Sequence, residues 1–136
     1  LKKLRFIPIA IHGAADYLVG ITLVFSPWIF GFSDVRGASR SVPISLGIAI
    51  ILYSILTSYD WGLVRIIPFK LHLVLDFMLG IFLSLSPWIF SFSAYKRSAW
   101  FPHVVTGLGI VIFVLISRTM ASPVKPEPQV PRVMSY

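Results

Sequence analysis

Two polar stripes interrupt a chain that is otherwise rich in apolar residues. His12, Asp16 and Gly20 stand at i, i+4 and i+8, and His72, Asp76 and Gly80 repeat that spacing sixty residues later. On an α-helix such positions fall within one arc of about 80°. An imidazole and a carboxylate on one helix face can pair as ions, pass a proton or hold an ion. If the two stripes face each other, His12 can bond Asp76 while His72 bonds Asp16, or each pair can close within its own helix. Pairing of this kind would fasten the helices together, and that is the leading expectation. A proton or ion relay through the same four side chains is the alternative. A third is a metal ion or haem between His12 and His72, although no other ligand pattern supports it. The absence of cysteine removes thiolate metal sites, disulfides and thiol nucleophiles. No catalytic constellation stands out, so the expectation is a non-enzyme without a cofactor.

Composition says what must position these residues. Of the 136 residues 57% are hydrophobic and 12% charged, against about 25% charged in a soluble domain. So few charges cannot solvate a surface of this size, but they suit one that faces lipid. The net charge is +7, which invites a nucleic-acid reading. The twelve Lys and Arg residues lie at the ends of apolar stretches rather than along one face. There they act as membrane topology signals, and nucleic acid is not an expected partner. An ionised carboxylate inside a membrane costs about 2.5–3.5 kcal/mol even on the lenient insertion scale. Asp16 and Asp76 are expected about 15 Å into the membrane by helical rise, near the midplane. They must therefore be paired, protonated or hydrated, with both stripes facing the bundle interior.

The chain aligns with itself at a shift of sixty. Residues 5–33 match 65–93 at 15 of 29 positions, including Ser26-Pro27-Trp28-Ile29-Phe30 against Ser86-Pro87-Trp88-Ile89-Phe90; farther on, Gly47 falls on Gly107. This reads as a tandem duplication. Lys2, Lys3 and Arg5 ahead of an apolar run resemble a signal peptide, but the repeated copy sits in mid-chain, so the first segment reads as a structural helix.

Four apolar segments follow: about Pro8 to Ser26, Pro43 to Ser58, Pro68 to Ser86 and Pro102 to Ser117. Pro8 and Pro68 suit a first helical turn, while Pro27 and Pro87 should end or kink their helices. The second and fourth segments are short of the roughly 20 residues a membrane core needs, so the Trp-Ile-Phe stretches should fill the interface. Lys2, Lys3, Arg5, Arg65, Lys70, Arg118, Lys125 and Arg132 mark one side; Arg36, Arg40, Lys96 and Arg97 mark the other. That imbalance puts both termini in the cytoplasm. The fold class expected is all-α: four transmembrane helices from a doubled two-helix unit (about residues 5–60 and 65–118), related by a parallel pseudo-twofold axis within a domain of residues 1–120.

Two Ser-Pro-Trp motifs ending apolar helices in a duplicated chain resemble the SPW-repeat family of small prokaryotic membrane proteins, over about residues 5–118. The resemblance implies a bacterial or archaeal membrane setting and no particular activity. The first unit has Pro43-Ile44 where the second has Pro102-His103, so His103 need not have a symmetric partner.

The remaining candidates have plainer roles. Gly20, Gly80, Gly47 and Gly107 should let helices approach closely. Ser26-Pro27-Trp28 and Ser86-Pro87-Trp88 should stop the helix and anchor Trp at headgroup level, with Phe30, Phe32, Phe90 and Phe92 extending the belt; a lipid or quinone-like ligand held by Trp28 and Trp88 is the alternative. His103 reads as an interfacial hydrogen-bonding residue at the outer end of its helix. Arg5 and Arg65 should reach lipid phosphates. Residues 121–136 carry Pro123, Pro126, Pro128 and Pro131 and read as an extended cytoplasmic tail that docks on another subunit or a second copy. Taken together, these features suggest an accessory or scaffold subunit, or a self-associating bundle, in the cytoplasmic membrane. A small channel or carrier is the alternative, and a haem- or quinone-binding redox component the weaker one.

Overall fold

The computed structural model describes residues 4–119. Four helices follow in order: α1 (Ile9–Ile29), α2 (Ala38–Ile55), α3 (Phe69–Ile89) and α4 (Arg97–Ile116). Each is long and apolar enough to cross a membrane, and only two isolated bridges stand in for β-structure among the described residues. The chain is therefore an all-α, four-helix, multi-pass membrane protein, as the sequence led us to expect. The tail expectations fall on residues 121–136, outside the described ones.

The helix bounds correct the expected ones. α1 and α3 run through Pro27 and Pro87 to Ile29 and Ile89. A proline inside a helix leaves the carbonyl four residues earlier without its N–H partner. For Pro27 that carbonyl is Leu23, and the Ser26 hydroxyl donates to it at 2.8 Å; for Pro87 it is Leu83, served by Ser86 at 2.7 Å. The serine of each motif supplies the bond that the proline removes, and the helix continues for one more half-turn. It ends just beyond: Phe32 N–H reaches Pro27 O and Phe92 N–H reaches Pro87 O, each at 2.8 Å. Gly31 (φ 69°) and Ser91 (φ 57°) take the left-handed conformation there.

α2 and α4 start about one turn earlier than expected, so Pro43 and Pro102 lie inside them. At 18 and 20 residues these helices are not short of a membrane span. Pro43 frees the carbonyl of Ser39, and His103 Nε2 on α4 donates to that oxygen at 3.0 Å.

α1 packs chiefly on α2 and α3 chiefly on α4, with α2 touching α3 and α4 less extensively. Both tight pairs meet at glycines. A Cβ on Gly47 would lie 2.6 Å from the Gly20 carbonyl oxygen, and one on Gly80 would lie 2.8 Å from that of Gly107. Leu23, Ile50, Leu79 and Leu83 fill the space between the pairs, while large apolar side chains such as Leu18 and Met78 cover the exterior.

Short backbone pairings close the bundle at the end where α1 and α3 begin. Phe6 and Ile7 N–H groups both reach Ile116 O, and Arg118 N–H returns to Ile7 O at 3.0 Å. Ser58 N–H reaches Ile67 O at 2.8 Å, and Ile67 N–H reaches Leu56 O at 2.8 Å. These pairings bring Ser117 beside α1 and Thr57 beside α3. The loop after α2 also folds onto α1, where the Trp61 indole donates to Ala10 O and the Tyr17 hydroxyl donates to Trp61 O, both at 2.8 Å. Gly13 makes room for this loop, since a Cβ there would lie 2.6 Å from the Tyr59 ring.

Candidate functional site

The four residues of the two stripes meet in one cluster. His12, Asp16, His72 and Asp76 are all buried, and their ligand-type atoms lie within 4.8 Å of one another. His12 Nε2 is 3.0 Å from Asp76 Oδ2 and 3.3 Å from Asp16 Oδ1; His72 Nε2 is 3.0 Å from Asp16 Oδ2 and 3.0 Å from Asp76 Oδ2. Cross-helix and same-helix pairing, read from the sequence as alternatives, are therefore present together. The result is a compact four-group cluster and not two axial ligands facing across a macrocycle.

The tetrad also lies closer to one end of the bundle than the expected midplane. Asp16 stands about 10 Å along α1, whose length is about 31 Å. Even from Pro8 the rise to Asp16 is only about 12 Å, and the continuation of α1 past Ser26 to Ile29 moves the helix centre farther from Asp16.

A second layer of polar groups orients the four. The Thr57 hydroxyl donates to Tyr53 O at 2.7 Å, and the Ser117 hydroxyl donates to Phe113 O at 2.6 Å. Each hydroxyl has one hydrogen, so each must accept from the histidine beside it. Thus His72 Nδ1–H donates to Thr57 at 2.8 Å and His12 Nδ1–H donates to Ser117 at 2.7 Å. Both imidazoles thereby turn Nε2 toward the carboxylates. Each carboxylate receives a phenol: Tyr53 donates to Asp76 Oδ1, and Tyr59 donates to Asp16 Oδ2 at 3.1 Å. Burial, with the nearby Asp16 carboxylate, pushes the Tyr59 phenol above its ordinary range, so it remains a donor. Aromatic rings wall the cluster: Phe113 stacks on His12 with centroids 5.1 Å apart, and Phe69 stacks on His72 at 5.7 Å.

Sequence reasoning missed Tyr53, Thr57, Tyr59 and Ser117. Thr57 and Ser117 are sixty residues apart, the one signal that could have found them. The tyrosines carry no such signal, because Phe113 stands sixty residues after Tyr53. A phenylalanine there cannot serve Asp16 as Tyr53 serves Asp76, and Tyr59 reaches Asp16 from the loop instead.

A cavity of about 310 Å³ opens between α1 and α4. His12, Asp16 and Asp76 contribute to its wall, together with Val19, Ile50 and Phe113.

The other sequence candidates lie apart from the tetrad. His103 is buried, only 2% exposed. It sits between Phe32 and Phe92, with ring centroids 5.5 and 4.9 Å away, because the carbonyl freed by Pro43 lies in the core. Ser26, Pro27, Ser86 and Pro87 are buried, whereas Trp28 and Trp88 are more than half exposed, and Arg40 lies over the Trp28 ring. Arg5 donates to Ser117 O at 3.0 Å, so at least one of its donors is turned to the protein. Arg65 is exposed.

Among known proteins, no curated protein and no solved structure matches the chain. A family described as the SPW repeat domain matches residues 10–117. That match takes in both Ser-Pro-Trp motifs, all four tetrad residues and both glycine contacts, and on it the chain belongs to the SPW repeat domain family.

Proposed function

We propose that this protein is a non-enzymatic membrane component: an accessory or scaffold subunit of a membrane assembly, or a bundle that associates with copies of itself. The observation that carries this reading is the way the tetrad joins the two helix pairs. Direct packing is concentrated within α1–α2 and within α3–α4, while His12–Asp76 and His72–Asp16, each at 3.0 Å, tie α1 to α3. Polar groups are gathered inward, and the outer faces are left apolar for lipid or for neighbouring helices. The charge imbalance between the two ends supports cytoplasmic termini, and the family resemblance supports a bacterial or archaeal cytoplasmic membrane. Purification from the native membrane tests the proposal. Stoichiometric co-purification of another membrane protein, or a defined homo-oligomer, is expected; a lone monomer would sink it.

A second reading is favoured by the cavity between α1 and α4, which brings space to the edge of the tetrad. In this reading the tetrad passes protons or ions, and the protein is a small channel or carrier. Flux into proteoliposomes that disappears in Asp16→Asn and Asp76→Asn variants would select it. Flux equal to that of protein-free liposomes would remove it.

A further inference from the structure

We propose that the tetrad binds one divalent first-row transition-metal ion, such as Zn²⁺, through Nε2 of His12 and His72 and one carboxylate oxygen each from Asp16 and Asp76. Four His–Asp separations of 3.0–3.3 Å outline the site. Ligands bound to zinc at about 2.0–2.1 Å in a tetrahedron lie about 3.3 Å apart. The His–Asp separations match that spacing, and the ligand atoms as a set lie within 4.8 Å of one another.

The orphaned nitrogen of His72 points the same way. Nε2 of His72 is fully buried and within 3.0 Å of two carboxylate oxygens, yet neither contact has the direction of a hydrogen bond. Its Nδ1 hydrogen already serves Thr57. A cation among the four groups would take the Nε2 lone pair that the carboxylates do not satisfy.

The outer layer is of the kind that metal sites use. Ligating histidines donate their other ring N–H to a fixed acceptor, and ligating carboxylates are themselves hydrogen-bonded. Here Ser117 and Thr57 hold the histidines, and Tyr53 and Tyr59 hold the carboxylates. Imidazole with carboxylate suits zinc or iron(II) better than calcium or copper(I). Charge also balances inside the membrane. One divalent cation, two carboxylates and two neutral imidazoles sum to zero.

The inference is independent of the assembly reading, since the hydrogen bonds of the tetrad can tie the bundle without an ion. Its test uses the full chain without an affinity tag, in detergent micelles, with Co²⁺ and Zn²⁺ as probes. One Co²⁺ per chain, with the intense visible bands of a four-coordinate ion displaced by Zn²⁺, is expected. A His12→Gln/His72→Gln double variant should lose both signals. Helical, monodisperse protein that takes up no more of either metal than that variant would overturn the proposal. If the double variant does not fold, X-ray absorption of the zinc-loaded parent decides: two imidazole ligands support the site, and none overturns it. The chain has three histidines and no cysteine, and His103 lies elsewhere, so two imidazoles on one ion must be His12 and His72.

Discussion

His103 on α4 donates its Nε2 hydrogen to the carbonyl of Ser39 on α2, 3.0 Å away. That carbonyl is available because Pro43, four residues on, has no N–H to offer it. A backbone defect in one helix is thus met by a side chain from another. His103→Leu should cost about 1–2 kcal/mol, as an unmet buried acceptor does. In a Pro43→Ala background the new N–H can close the helix on Ser39, and the same substitution should cost clearly less. A double-mutant cycle by reversible unfolding in micelles measures the difference. Equal costs in both backgrounds would show that the bond contributes nothing.

Ser26 and Ser86 each repair the carbonyl that the following proline leaves open. Replacing either with alanine should destabilise the bundle by about 1 kcal/mol, near the usual range for such a bond in membranes. In Ser26→Ala/Pro27→Ala the missing N–H returns, and part of that loss should be recovered. Thermal unfolding followed by circular dichroism reads both effects. Failure of the double variant to recover would mean that serine acts by something other than the freed carbonyl.

The parts of this architecture that were legible in the sequence are those written in residue type and period. Apolar runs gave the four helices, and the i, i+4, i+8 stripes marked His12, Asp16, His72 and Asp76 as inward-facing. Helix starts and stops were less legible, because proline was read as a boundary. Pro27, Pro43 and Pro87 lie within helices whose freed carbonyls have other donors, and those donors are tertiary or one residue away. Tyr59 shows the same limit. It serves Asp16 only because the loop after α2 folds over Gly13, a placement no local pattern announces.

Ser91 holds a left-handed conformation (φ 57°) at the end of α3, where Gly31 occupies the corresponding turn after α1 at φ 69°. A side chain pays a steric cost in that region and glycine does not. Ser91→Gly should therefore stabilise the protein by about 0.5–1 kcal/mol, and Gly31→Ala should destabilise it by about 1 kcal/mol. Nothing lies within 4 Å of a Cβ at Gly31, so the second change reports backbone conformation alone. Unfolding midpoints of the two variants should move in opposite directions, and a shift in the same direction would contradict the assignment.

Lys96 Nζ lies 2.6 Å from Asp34 Oδ1 in the loops at the far end of the bundle, and both are exposed. The Lys96 hydrogen bond, helped by backbone N–H groups, holds the Asp34 carboxyl below its usual value. With the folded value lowered, whatever the pair contributes is present above the unfolded aspartate value. It is lost as pH falls through the lowered one. Carboxyl NMR titration should show Asp34 ionising at lower pH than an ordinary aspartate, and Lys96→Met should bring it back up. An unchanged titration in that variant would remove Lys96 as the cause.

Asp76 accepts from His12 Nε2 and from Tyr53, while Asp16 accepts from Tyr59 and faces both histidines. Leucine at either position leaves buried donors with no acceptor. Breaking a buried pair from one side costs about 3–5 kcal/mol, so Asp16→Leu and Asp76→Leu should each unfold the bundle or lower its stability severely. Asparagine keeps the shape and one acceptor oxygen, so Asp76→Asn should fall between Asp76→Leu and the parent. Leu18 is 67% exposed on the outer face, and Leu18→Ala should stay within about 0.5 kcal/mol of the parent. Unfolding in micelles ranks the four variants directly. If Asp16→Leu and Asp76→Leu are as stable as Leu18→Ala, the tetrad does not hold the two helix pairs together, and the reading of this cluster as the tie between α1 and α3 fails.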